Sequence, residues 1–188
     1  MDPLFIVGIL VGVFGLGFIV VYNIIISAKN SVEESASAIE TVFQNRHDLI
    51  PNLVEVVKKY SEHEKSLLEN ITKLRSSAMS GQEITPEKLS NENQISGTLK
   101  SIFALGENYP DLKANENFIN LQNEWSNIED NMQAARRAYN AAVKLLNNKK
   151  QMFPSNIVAG MMTLKDYPLF EADKEAKNSL DAKNLFAK

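Results

Sequence analysis

The chain has 188 residues and a formal net charge of −3, with 20 Lys/Arg and 23 Asp/Glu mixed along it, so it offers no basic face for gripping phosphates and nucleic acid is not an expected partner. Its lack of cysteine excludes a disulfide framework, a thiolate metal site and lipid attached through cysteine. Subtracting a membrane segment leaves about 160 residues, enough for one domain with a sizeable core. Gly8, Gly12, Gly15 and Gly17 fall within the first twenty residues, and the glycine-poor remainder suits long helices.

From Leu4 to Ile26 the chain carries no charged side chain, a run longer than the roughly 20 residues that cross a hydrocarbon layer. A cleaved signal peptide would have a basic start and an apolar stretch of roughly 7 to 15 residues. Here the chain opens Met1-Asp2-Pro3, the run is too long, and Ser27-Ala28 is only a faint cleavage site. The expectation is an uncleaved transmembrane helix, with Tyr22 and Asn23 near headgroup level. Lys29 and the more distant Arg46 lie C-terminal to the span, which favours a cytoplasmic C-terminal domain. Gly8, Gly12 and Gly15 form a small face through which two such helices can approach, a weak signal because glycine is common in membrane helices.

Beyond the span, apolar residues recur at helical spacing. Val32, Ile39, Leu53, Tyr60, Leu67 and Leu74 share one heptad phase; Val42, Leu49 and Val56 occupy a second, and Ala36, Phe43, Ile50, Val57, Ile71 and Ala78 a third. This broad stripe predicts a long helix packed against two neighbours and continuous with the span. Pro51 must stop or kink it, and the unbroken apolar phase favours a kink. The stretch from Ser80 to Gln94 reads as a polar loop containing Gly81 and Pro86. A short helix with Leu89, Ile95, Leu99, Ile102 and Phe103 follows, ending at Gly106, with a turn at Tyr109-Pro110-Asp111. Asn115 is the predicted N-cap of a second long helix, in which Phe118, Leu121, Trp125, Ile128, Met132, Ala135, Tyr139, Ala142 and Leu146 alternate by three and four, and which ends near Phe153-Pro154. Ser155 to Phe170 allows a short amphipathic helix, and Glu171 to Lys188 is a charged tail. No sustained period-two alternation predicts a sheet. The fold class expected is all-α: an anchor (1–28), an elongated antiparallel bundle of long helices (29–170) and a tail (171–188).

Chemistry is sparse. His47 and His63 stand more than four turns apart on one predicted helix, too far to share a metal. His63-Glu64 lacks the second histidine of a metalloprotease helix, since Leu67 fills that place. A P-loop, a nucleophile elbow and a dinucleotide-type glycine pattern are also missing. No cofactor, metal or small-molecule substrate is expected. Three polar residues interrupt the apolar rows: Arg46, His63 and Glu64. Buried charges need partners, and Arg136, Arg137, Glu129, Asp48 and Glu55 are the candidates. Such groups either lock helix register or form a polar pocket or docking surface for a partner.

The run from Asn45 to Glu64 (NRHDLIPNLVEVVKKYSEHE), Tyr109-Pro110-Asp111-Leu112 with Leu121-Gln122, Ile128-Glu129, Ala135-Arg136-Arg137-Ala138-Tyr139-Asn140 and Phe153 to Ala159 (FPSNIVA) together resemble the LemA family of bacterial proteins. The resemblance extends from the membrane helix to about Phe170; the irregular segment from Ser80 to Asn93 departs from it. It implies a short outer N-terminus, one transmembrane helix and a helical bundle on the cytoplasmic side of the bacterial inner membrane, and it implies no enzyme. Some members are similar to proteins needed to form internal membranes, and others occur beside membrane proteases. The matching residues include Arg46, Asp48, Pro51, Asn52, Glu64, Arg136, Tyr139 and Asn140, which with His63 make up the candidate structural network or partner site. The expected function is a membrane-anchored scaffold or adaptor that organises or shapes a membrane or docks membrane proteins. Its expected partners are the lipid bilayer, a second copy or another membrane protein. The alternatives are a sensory adaptor bending at Pro51 and an enzyme using His63 and Glu64.

Overall fold

A computed structural model describes residues 3–79 and 83–170, without the side chains of Phe5, Ile6 and Glu62; the expected charged tail lies outside the described residues. Six α-helices are described, with no strand among the described residues: α1 Pro3–Lys58, α2 Lys65–Ala78, α3 Pro86–Ala104, α4 Pro110–Lys113, α5 Glu116–Gln151 and α6 Ser155–Gly160. The protein is all-α, as its apolar periodicity predicts.

Helix α1 is continuous over 56 residues. Its first turns contain the one stretch among the described residues that is long and apolar enough to cross a membrane, and only 6 % of that window is buried. A core helix of the same composition would be mostly covered. From Ile25 onward, one face of α1 enters the protein interior through Ile25, Ala28, Val32, Ile39, Phe43, Ile50, Leu53 and Val57. The outer face keeps its hydroxyls satisfied locally: Ser31, Ser35, Ser37 and Thr41 each donate to the carbonyl four residues back, at 2.6–3.1 Å, so they do not draw the backbone out of the helix.

The helix neither stops nor starts a new register at Pro51; it runs seven residues further. Proline has no N–H, which leaves the carbonyl of His47, four residues earlier, without its helical donor. Arg75 of α2 takes that place, its Nε donating to the His47 carbonyl at 2.8 Å. The stripe therefore passes the proline at the cost of one backbone bond, replaced from a neighbouring helix.

The break comes earlier than the apolar stripe suggests. Helix α1 was expected to reach Ala78 but ends at Lys58, where the Ser61 N–H and Oγ both donate to the Val57 carbonyl, at 3.1 and 3.0 Å. A short 3-10 helix, Glu62–Glu64, leads into α2. Tyr60, Leu67 and Leu74 keep the phase of α1 across this turn, so heptad phase conceals it. Helix α3 also begins earlier than expected: Thr85 accepts from the Lys88 N–H at 3.2 Å, with Pro86 at the first helical position. The segment read as loop as far as Gln94 is thus helical from Pro86. Tyr109 precedes α4 rather than standing in a simple turn. The 3-10 helix Leu105–Glu107 brings Gly106 against Phe118, where a Cβ would meet the ring at 3.0 Å, so close approach accounts for this glycine. Asn115 caps α5 as predicted, its Oδ1 accepting from the Phe118 N–H at 3.1 Å.

Helices α1 and α5 run antiparallel and enclose two apolar cores. One joins Leu49, Ile50, Leu53 and Val57 to Ile71, Ile95, Leu99, Ile102, Phe118, Leu121 and Ile128. The other joins Ile25, Val32, Ile39 and Phe43 to Leu89, Met132, Tyr139, Val143, Leu146 and Val158. On α1, α3 and α5 alike, the boundary between the cores falls at a charged residue: Arg46, Glu92 and Glu129.

The proline account predicts a coupling. Arg75→Ala should destabilise the detergent-solubilised protein by about 1–2 kcal/mol in urea unfolding, because a part-buried carbonyl loses its donor. In a Pro51→Ala background, whose restored N–H can serve that carbonyl, the loss should fall by about half or more. Equal losses in the two backgrounds would contradict the account.

Candidate functional site

The Arg46 side chain has no accessible surface. Its Nη1 donates to the Glu92 backbone carbonyl at 3.1 Å and lies 3.4 Å from Glu92 Oε2. Nη2 forms an ion pair with Glu129 Oε1 at 3.2 Å, outside hydrogen-bond alignment, and Nε has no acceptor among the described residues. The Glu92 side chain is equally inaccessible, and its other oxygen, Oε1, lies 2.8 Å from His47 Nε2. An ionised carboxylate only accepts, so with Glu92 ionised that nitrogen carries the proton. Ser96 Oγ donates to Glu129 Oε1 at 2.9 Å. Burial pulls the Arg46 pKa down and neighbouring Arg136 adds to this, while Glu129 and Glu92 oppose it. A guanidinium starts so high that it remains charged at neutral pH. One turn away, half-buried Glu40 pairs with nearly buried Lys88 at 2.6 Å, extending the polar layer toward Phe43, whose ring centroid lies 5.9 Å from both Arg46 Cζ and Lys88 Nζ.

A second constellation is built on α5. Residues 161–170 lie back along the helices, and three predicted residues hold their end. Asn140 Nδ2 donates to the Phe170 carbonyl and Asn140 Oδ1 accepts from the Phe170 N–H, both at 3.0 Å. Tyr139 meets the Phe170 ring edge-on, with centroids 5.5 Å apart. The Arg136 guanidinium stands over the same ring at 5.2 Å, while its Nη2 donates to Asn93 Oδ1 at 3.1 Å. Tyr139 is fully buried and its hydroxyl has no hydrogen-bond partner among the described residues; burial first, and Tyr167 second, push its pKa up to about 12. These side chains bind a segment of their own chain, the amide by backbone pairing and the other two through the aromatic ring.

The remaining predicted residues lie apart. Asp48 is exposed and accepts from Gln44 at 2.8 Å, and exposed Glu55 pairs with Lys59 at 3.3 Å, so neither neutralises Arg46. Arg137, Pro51 and Asn52 are exposed. His63 is exposed on the 3-10 helix instead of the long helix assigned to it, and Glu64 is half-buried, accepting from the Tyr109 hydroxyl at 3.3 Å. Together with the bond from Asn115 Nδ2 to Tyr60 Oη at 3.0 Å, this ties the α1–α2 turn to the start of α5. Gly8, Gly12 and Gly15 face open space, with nothing within 4 Å of an added Cβ. Among the described residues, no three His, Asp or Glu side chains are placed to hold a metal ion.

Sequence reasoning missed Glu92, His47, Lys88 and Ser96. A signal for Glu92 existed: once Thr85-Pro86 is taken as a helix start, Glu92 falls in the apolar row Leu89, Ile95, Leu99, Ile102, where a carboxylate must be paired. Breaking such a pair strands a buried charge. Arg46→Met should therefore cost about 3–5 kcal/mol in chemical denaturation of the full chain in micelles. Arg46→Met/Glu92→Met should recover much of that, since half-exposed Glu129 can turn to water. A single variant within about 1 kcal/mol of wild type, or a double variant worse than the single, would refute the pairing.

The sequence model of the LemA family matches residues 35–183, a range that contains the charged layer and the Phe170 clamp. Among curated proteins, Protein LemA of Metamycoplasma hominis is 26 % identical over 178 residues, covering 93 % of this chain and 80 % of that protein. With most of its length matched and the resembling motifs assembled in one helical domain, this chain belongs to the LemA family.

Proposed function

We propose that this LemA-family protein is a membrane-anchored scaffold or adaptor: the first turns of α1 span a bilayer, and the helical domain organises or shapes that membrane or docks other membrane proteins, without catalysis. One observation carries the reading. The exposed apolar turns and the buried core face belong to the same uninterrupted helix, so the domain is mounted on its anchor without a linker. The polar interior supports it: the Arg46 and Glu92 side chains have no accessible surface, and a substrate cannot reach groups that are sealed against each other. Glu64, the acid of the enzymatic alternative, is already bonded to Tyr109. The proposed setting is the bacterial inner membrane with one span and the helical domain cytoplasmic, the side that Lys29 favours.

A sensory adaptor is the second reading, favoured by the continuity of α1 from the apolar turns to the charged layer. A rotation of the span would act directly on Arg46. Replacement of the lost Pro51 bond by Arg75 argues against a free bend at that residue.

The scaffold reading predicts that the full chain, cross-linked in native membranes and then extracted in mild detergent, is recovered in an assembly of defined composition larger than one chain in its micelle. Recovery as a monomer with no attached protein, under conditions where a known membrane complex survives, would sink it.

A further inference from the structure

We propose that the end of the helical domain nearest the apolar run is itself a membrane-contact surface, with α6 and the turn before it lying in the boundary between lipid headgroups and acyl chains. This rests on the bilayer-spanning reading of α1 and adds a second site of contact to it. Four large apolar side chains within ten residues face outward: Met152 (59 % exposed), Phe153 (80 %), Ile157 (53 %) and Met161 (73 %). They are not a frayed edge. Between them, Val158 and Ala159 are buried in the same core as Ile25, Ala28 and Val32 of α1, so α6 is fixed with one apolar face inward and Ile157 and Met161 outward.

The register of the helices sets the height of this surface. The contact between Arg46 and Glu129 pins antiparallel α1 and α5 at one level. Counting back along α1 and forward along α5 by twenty-two residues, about 33 Å, brings Gln151 level with Ile24. Met152 and Phe153 then stand level with Asn23 and Tyr22, inside the uncharged run from Leu4 to Ile26. If that run is in the membrane, these side chains are at its surface. Apolar patches that face water are uncommon in soluble domains, whereas aromatic and long aliphatic side chains favour the interfacial zone. The occupant that matches both the chemistry and the height is lipid.

The absence of cysteine makes site-specific labelling direct. Variants of the full chain, Phe153→Cys, Ile157→Cys, Val13→Cys in the apolar run and Lys113→Cys at the opposite end of the domain, are labelled with an environment-sensitive fluorophore and reconstituted into phosphatidylcholine vesicles. Lipids carrying a nitroxide near the headgroup should quench the labels at 153 and 157 about twofold or more beyond the label at 113, as expected for side chains a few ångströms below the headgroups. Lipids with a deep nitroxide should quench the label at 13 most strongly. If the label at 13 is quenched while those at 153 and 157 behave like that at 113, the span stands and this proposal falls. If the label at 13 is not quenched either, both fall. Labels at 153 and 157 shielded from lipid but self-quenching, with the signal restored on dilution by unlabelled protein, would assign the surface to a second copy and overturn the lipid assignment.

Discussion

Two turns of one helix, Arg46 to Pro51, carry three groups that cannot be left as the helix alone would leave them. They are a guanidinium with no access to water, an imidazole beside it, and a carbonyl whose helical donor has been removed by proline. Together they recruit three other helices: Glu92 of α3 and Glu129 of α5 answer Arg46, Glu92 also answers His47, and Arg75 of α2 answers the His47 carbonyl. Apolar burial on either side supplies the bulk of the stabilisation, at roughly 1.5–3 kcal/mol for each large side chain fully covered. The polar layer contributes differently. Relative to well-packed apolar residues, a buried ion pair adds little net stability; the penalty attaches to arrangements in which one charge is left alone. Only a narrow set of relative positions of α1, α3 and α5 avoids it.

This division explains what could be read from the sequence. The row from Phe118 to Leu146 on α5 and the Asn115 cap were legible because both signals are local, a spacing of three and four and a side-chain oxygen aimed at its own helix. The demand of Arg46 for a partner was legible too, and Glu129 was among the partners named. The end of α1 at Lys58 was hidden because the next helix keeps the same phase, and a repeat of seven does not say whether the chain has turned round between repeats. The start of α3 was hidden by composition. Two of its buried positions are Lys88 and Glu92, charged residues that look solvated until Glu40 and Arg46, more than forty positions earlier, are placed beside them. The Phe170 clamp is a similar case: Asn140 stands out in the sequence only through the family resemblance, and only the fold brings it a backbone segment thirty positions away.

The proposed function rests on how these contacts distribute rigidity. The charged layer fixes α1 against α5, the clamp binds residues 161–170 over the same pair, and α6 closes the end from which the apolar turns project. Arg46 and Glu92 are therefore sealed against each other, and the domain has a defined orientation relative to its apolar helix. That orientation is what the proposed scaffold or adaptor role would use. It also explains why Arg136, Tyr139 and Asn140, which resemble functional positions when read as a motif, are engaged in holding the protein's own chain.

The central claim is that the exposed apolar turns, proposed to span a bilayer, and the charged layer belong to one stiff helix. It is tested most directly by a distance measurement between spin labels at Val13→Cys and Asn45→Cys, both exposed on α1, in the full chain reconstituted into lipid nanodiscs. Thirty-two residues of unbroken helix predict a single narrow distribution near 48 Å, at about 1.5 Å per residue. A broad distribution, or a second population at clearly shorter distance, would show that anchor and domain are joined by a flexible or broken segment and would contradict the account.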